Sequence, residues 1–210
     1  MEDCETVVDD AGTPISAAMR ANGLHPVRIA EVARNNLAGF IERHIEQRPI
    51  LENAALSVAV VDAIPHIGHT EVTLTGDSSH ADAFPLAIRA DPMPGMVEIA
   101  AAAIAHAEAL GRLAVTTVGQ CSIDPTAPAI IPRSVTFTID ARHPDPEAAK
   151  ALHDPPNEIM DWIAAKRGLA LNRRQTLDHP SSQSDPTLLD AMQAAADATN
   201  IPRLRMASGT

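Results

Sequence analysis

The sequence predicts an α/β fold, and three observations predict it. Residues 56–64 (Leu-Ser-Val-Ala-Val-Val-Asp-Ala-Ile) are continuous and β-branched, as in a buried strand. Residues 70–75 (Thr-Glu-Val-Thr-Leu-Thr) alternate, which puts Val72 and Leu74 on one face of a second strand. Residues 94–110 are an alanine-rich helix pattern that Gly111 ends.

The other elements follow in order. Residues 11–35 read as two short helices; Pro14 suits the first turn of the first, with Thr13 before it as a cap and Gly23 to end it. Residues 38–47 read as a strand. From about residue 67 the pattern changes. After the strand at 70–75, Gly76-Asp77-Ser78-Ser79 signals a turn. Residues 113–123 and 134–141 are further strands. Residues 145–166 form a second long helix, with Pro146 in its first turn, Gly168 after its end and Pro155-Pro156 expected to interrupt it. Residues 169–177 are a last strand of this stretch, and 185–200 one more helix.

The order over 67–178 is β-α-β-β-α-β, the split-βαβ, ferredoxin-like arrangement. It predicts a compact domain at 67–178 inserted between residues 1–66 and 179–210. Each flank alone is too small to bury a core well, so the two are expected to pack together as part of a larger α/β domain. The end at Ser208-Gly209-Thr210, without a capping element, reads as a chain cut rather than finished.

Composition narrows the function. Hydrophobic residues make up 45% of the 210 and aromatics 2%, so Ala, Val, Ile and Leu must fill the core. The net charge of −11, from 16 basic and 27 acidic residues, opposes nucleic-acid and anionic-membrane partners and favours solubility. Cys4 and Cys121 lie far apart, form no C-x-x-C pair and fit a reducing compartment. The start Met1-Glu2-Asp3-Cys4-Glu5 lacks the basic character of a signal peptide. The longest apolar run, Ile99 to Ala105, is too short to span a bilayer. A cytoplasmic location is expected.

Three residues stand out for chemistry. His44 lies between Glu42 and Glu46 at strand spacing, which puts all three on one face, and imidazole and carboxylates suit divalent metals. The same pattern fits a half-exposed face of mixed charge. His80 fits a solvated turn. Arg142 fits a strand-end arginine paired with Asp140 or Asp145, or a fork for a ligand's carboxylate. The remaining histidines form no H-x-x-x-H or H-E-x-x-H spacing, and His66 and His69 read as a solvated pair flanking a turn.

Phe40-Ile41-Glu42-Arg43-His44-Ile45-Glu46-Gln47 closely resembles the F-x-E-x-H-I-E-Q segment of the M20-type metal-dependent amidohydrolases: N-carbamoyl-L-amino acid hydrolases, β-ureidopropionases and allantoate amidohydrolases. The resemblance continues through Leu51-Glu52, Val58 to Ile64, Ser79-His80-Ala81 (N-H-A), Arg89 and Asp91 (R-R-D-A), Ile131-Pro132, Phe137 to Arg142 (F-T-L-D-I-R) and Ser208-Gly209 (S-G-A-G-H-D-A). It covers nearly the whole chain, and the order and spacing of the pieces carry its specificity.

The resemblance implies a partial catalytic domain at 1–66, a lid and homodimerisation domain at 67–178, and a return to the catalytic domain at 179–210. It implies that His44 is a metal ligand (Zn, Mn, Ni or Co), His80 a catalytic contact delivered from the dimer partner, Arg142 the grip on the substrate's carboxylate, Gly209 a backbone donor to substrate and Gln47 a polar residue of the site wall. The implied activity is metal-dependent hydrolysis of linear amide or ureido C–N bonds in an N-carbamoyl amino acid or allantoate-like substrate.

The chain also departs from the pattern. The second asparagine of P-N-x-x-N-V-I-P becomes Ala129, the glycine of H-A-G becomes Asp82, the glycine of E-Q-G-P becomes Arg48, and His66 stands where glycine is usual. The family's first histidine, bridging aspartate and paired glutamates lie upstream of the matched region, and its last histidine downstream. The chain by itself is therefore expected to be inactive; the alternative is a non-catalytic remnant acting only as a dimerisation module.

Overall fold

Aspartate followed by proline opens each of the three long helices. The proline sits where a missing N–H costs nothing, and the aspartate carboxylate accepts amides of the first turn. A computed structural model describes residues 3–32, 34 and 36–209. The chain divides into two units, Met1–His44 and Ile45–Thr210.

The first unit holds helices α1 (Asp3–Thr6) and α2 (Ile15–Ala21) and a 3-10 helix at Pro26–Val32. Ser16, fully buried, donates from Oγ to Glu5 Oε2 (2.7 Å), and Arg20 Nη2 donates to Glu5 Oε1 (2.9 Å), which ties the two helices together. Those bonds, Ser16 first and Arg20 next, hold the Glu5 carboxyl below the usual carboxylate range. The N-cap position of α2 falls on Pro14 rather than Thr13, with no side-chain cap, and Gly23 follows its end at φ 73°. The second helix expected before residue 35 is the 3-10 turn; Ala33 and Asn35 lie outside the described residues.

The strand expected at 38–47 needs correcting. This run has no regular structure, and Phe40 and Ile45 are 78% and 76% exposed. No strand among the described residues pairs with it, and a lone extended segment gains no ladder of hydrogen bonds.

The second unit runs α3 (Ile50–Asn53), β1 (Val58–Ile64), β2 (His66–Thr75), β3 (Ser79–His80), a 3-10 turn (Leu86–Ile88), α4 (Pro92–Leu110), β4 (Val115–Asp124), β5 (Ile130–Ile131), β6 (Ser134–His143), α5 (Pro146–Arg167), β7 (Ala170–His179), β8 (Ser182–Gln183), α6 (Pro186–Ala198) and β9 (Arg203–Ala207). The carboxylates of Asp91, Asp145 and Asp185 cap α4, α5 and α6. No helix of the described residues is long and apolar enough to cross a membrane.

Strands β4-β6-β2-β7 form one antiparallel sheet in that order, the topology of a split-βαβ unit. β6 alternates along its whole length: Val135, Phe137, Ile139, Ala141 and His143 are buried, and Ser134, Thr136, Thr138, Asp140 and Arg142 alternate with them on the other face. The buried side meets Ile99 and Ala103 of α4 and Met160, Ile163 and Ala164 of α5 in one core with Val72 and Leu74. Arg167 joins the two helices by donating from Nε to Glu98 Oε2 (3.2 Å), and this arginine holds Glu98 below the usual carboxylate range.

Two further expectations are corrected here. α5 runs unbroken through Pro155-Pro156, because Leu152 on one side and Met160 and Ile163 on the other are all packed into the core; tertiary burial outweighs the lost helix bonds. His66 and His69 flank no turn: both lie within β2, which begins at His66.

β1 pairs parallel with β9 and antiparallel with β8, and α6 packs on it. Val60 and Ala63 are buried while Val58, Val61 and Ile64 are exposed, so β1 in this chain is covered on one face rather than two. β3 and β5 make a separate two-residue ladder.

Candidate functional site

The open face of the four-stranded sheet is polar and ordered by register. Asp140 of β6 stands opposite His69 of β2 and Thr117 of β4; Arg142 stands opposite Ile67 and Val115. Alternate residues of one strand share a face, so Asp140 and Arg142 are neighbours on it. Arg142 donates from Nε to Asp140 Oδ1 (2.9 Å) and from Nη2 to Asp140 Oδ2 (2.7 Å), a two-pronged pair. His69 Nε2 lies 3.3 Å from the same Oδ2, close enough for an ion pair when the ring is protonated. Burial works against the charged form of Asp140, but the Arg142 guanidinium and then His69 outweigh it and leave the carboxyl below its usual range; the same hydrogen bond raises Arg142. Glu71 and Arg174 form a second ion pair on this face (2.9 Å).

His80 lies on β3, opposite Ile130 of β5. It is exposed, and its Nδ1 accepts from the Asp82 amide at 3.4 Å. Arg89 clamps the loop behind it by donating from Nε to the Phe84 carbonyl (2.7 Å), and the Ala81 amide donates to Ala129 O (2.9 Å). Asp82 has no positive φ, so the loop accepts a side chain where glycine was expected.

Gln47 is exposed. Just before it, the Glu46 carboxylate accepts the first-turn amides of α3, from Ile50 (3.1 Å) and Leu51 (2.8 Å). Gly209 follows β9. A Cβ placed on it would fall 2.7 Å from Arg48 Nε, so Arg48 packs directly on the Gly209 backbone. His44, at the end of the first unit, is exposed. Among the described residues no group of three or more His, Cys, Asp or Glu is placed to hold a metal ion. With Glu46 spent on α3, these residues do not fit a dinuclear centre by themselves.

Other histidines serve the fold. His143 Nδ1 accepts the Asp145 amide (3.0 Å) at the entry to α5, His106 Nε2 contacts the Ala151 carbonyl (2.7 Å), and His66 Nε2 pairs with Asp178 (2.8 Å).

No family model matches the chain. It is 30% identical over 207 residues to the N-carbamoyl-L-amino-acid amidohydrolase of Paenarthrobacter aurescens, covering 98% of this chain and 50% of that protein. It is 33% identical over 164 residues to the allantoate amidohydrolase of Escherichia coli (strain K12), covering 78% of this chain and 39% of that protein. Its fold superposes with a TM-score of 0.86 on a crystal structure of an amidase of the hydantoinase/carbamoylase family from Burkholderia multivorans, at 26% identity, covering 100% of this chain and 50% of that one. This chain belongs to the M20-type amidohydrolases. It spans half or less of the length of these relatives.

In this chain Arg142 is held against Asp140, which His69 also approaches, and Arg48 packs on Gly209. No hydrogen bond or ion pair among the described residues joins Gln47, His80, Arg142 and Gly209 to one another. Sequence reasoning missed His69 and the packing of Arg48. The signal for His69 was available: carrying the β2 alternation back past Thr70 puts His69 on the face of Glu71, and antiparallel register then sets it opposite Asp140.

Proposed function

We propose that this chain serves in the hydrolysis of linear amide or ureido C–N bonds, with an N-carbamoyl amino acid or allantoate-like acid as the substrate. The observation that carries the reading is Arg142: a half-buried guanidinium on the open face of the sheet, in a chain whose relatives are named for acids of this type. Arg142 grips the substrate carboxylate. His80, exposed on its short strand, donates to the oxygen that gains charge at the scissile carbonyl. Gly209 offers a backbone amide, Gln47 a side-chain amide, and His44 one imidazole to a divalent metal.

In this family a bound metal pair polarises the carbonyl and supplies hydroxide. The described residues do not assemble such a pair, so the remaining ligands and the general base are taken to come from outside them. The residues 67–178 are read as an inserted domain through which two copies pair. Exposed Val97 and Ile104 on α4 and Leu113 and Val115 leading into β4 favour that use, and they equally favour a chain that pairs without turnover.

Titration of the chain with N-carbamoyl-L-alanine, followed by amide chemical shifts, is expected to show saturable binding on the order of millimolar. Arg142→Ala should weaken it by about tenfold or more, as loss of a charge-assisted pair does. Wild-type chain that shows no saturable binding overturns the reading. Loaded with Mn, Zn, Ni or Co, the same chain is expected to show no useful turnover; turnover that disappears in His44→Ala would refute that expectation.

A further inference from the structure

We infer that Asp140 and His69 are positioning residues that hold Arg142 aimed at a ligand carboxylate, so that recognition rests on three side chains rather than one. The inference rests on the reading of Arg142 as the carboxylate-binding residue, and it assigns a task to two residues which that reading leaves idle.

A guanidinium carries five N–H groups in a rigid plane and presents more than one two-pronged edge. Asp140 occupies the side edge: Nε donates to Oδ1 at 2.9 Å and to Oδ2 at 3.2 Å, and Nη2 donates to Oδ2 at 2.7 Å. Nη1, on the end edge, has no acceptor among the described residues. The side chain is thus fixed in direction while the edge away from Cδ stays open to an incoming pair of oxygens.

Asp140 has a neighbour in turn. His69 Nε2 is buried, makes no hydrogen bond of good geometry, and lies 3.3 Å from Oδ2, the acceptor within its reach. The strand pairing dictates this order, since His69 is the register partner of Asp140 on β2. Both Asp140 and Arg142 are about three-quarters covered, at 26% and 28% side-chain exposure, so neither swings freely into water. An arginine ordered before the ligand arrives loses less freedom on binding, which raises affinity without a new contact. The ligand class is a planar carboxylate whose two oxygens meet the end edge of the fork; a neutral amide offers one acceptor and a misplaced donor.

The opposing view is that Asp140 merely competes with ligand for Arg142, and the two views predict opposite signs. Binding of N-carbamoyl-L-alanine and of its primary amide is to be compared in wild type, Asp140→Asn, Asp140→Glu, His69→Gln and Arg142→Ala. The Arg142 Nε–H resonance reports the geometry in each. Positioning predicts that Asp140→Asn weakens the acid about tenfold, leaves the amide unchanged and shifts the Nε–H resonance. Asp140→Glu should restore part of the loss, and His69→Gln should lose a smaller factor. Acid binding that is equal or tighter in Asp140→Asn overturns the inference and leaves the reading of Arg142 standing. A wild type with no preference for acid over amide, or one whose preference survives Arg142→Ala, removes the reading and the inference together. If Asp140→Asn does not fold, His69→Gln decides: an unchanged acid affinity and an unmoved Nε–H resonance overturn the inference.

Discussion

Replacing Phe137 by alanine is expected to lower folding stability by about 3–5 kcal/mol, the cost of emptying a large aromatic site in a close-packed core. The chain has three phenylalanines, and the other two, Phe40 and Phe84, are 78% and 40% exposed. Trp162 is 62% exposed. Phe137 is fully buried, so it is the one phenylalanine inside the second unit's core. It stands at the middle of β6, opposite Val72 on β2, and packs in one cluster with Ile99 of α4 and Met160 of α5. Its neighbours are mostly short aliphatic chains whose positions are set by strand register and helix docking, and these cannot collapse into the space a phenyl ring leaves. The loss is a large part of the 5–15 kcal/mol that holds an ordinary domain folded. Urea denaturation followed by circular dichroism is the measurement, with the midpoint falling at unchanged slope. A loss under about 1 kcal/mol would mean that the ring does not hold the sheet and helices together. The substitution also bears on the site, because Asp140 and Arg142 are carried by the same strand on the face opposite the ring.

The contrast between the two faces of β6 explains what could be read from sequence. Val135, Phe137 and Ile139 alternate with threonines, so period and burial agree and both the strand and the β-α-β-β-α-β order follow from local pattern. Asp-Pro starts mark all three long helices, and glycines follow the ends of α4 and α5, for the same reason: capping is a property of adjacent residues. The errors fall where distant residues decide. Gly68 occupies an inward position of β2 where an apolar side chain would have extended the pattern; a Cβ there would lie 2.5 Å from the His153 ring, which α5 brings in from far along the chain. With Gly68 silent and His66 and His69 polar, the first half of β2 looked like a turn. Pro155-Pro156 reads as a helix breaker because proline's cost is local, whereas the packing that overcomes it is not. The run at 38–47 is the reverse case: its composition suits a strand, but a strand is a pairing between segments, and no described segment pairs with it. The family was legible as a sequence of motifs. The geometry of the site was not, since the approach of His69 to Asp140 depends on register between β2 and β6.

Gly76→Ala is expected to cost about 3 kcal/mol, at the upper end of what overpacking usually costs. Gly76 follows the end of β2. Its amide donates to the Arg133 carbonyl (2.8 Å), and the next amide, of Asp77, donates to the Ala90 carbonyl (3.0 Å). A Cβ on residue 76 would fall 1.9 Å from that same Ala90 oxygen and 3.0 Å from Leu169 Cδ2. The obstacle at Ala90 is backbone and cannot rotate aside. Relief requires the chain between Asp77 and Asp91 to move, and that stretch carries both His80 and its clamp, Arg89. The variant should therefore lose stability and also displace the amide resonances of residues 78–90, while β6 and β7 keep their shifts. Gly119→Ala is the control: the nearest atom to its Cβ is Thr138 Oγ1 at 3.9 Å, an ordinary contact, so stability should stay equal or rise by a few tenths of a kcal/mol. If Gly76→Ala matches Gly119→Ala in urea midpoint and the loop resonances stay in place, then the close approach of Gly76 to Ala90 does not fix the path of the His80 loop.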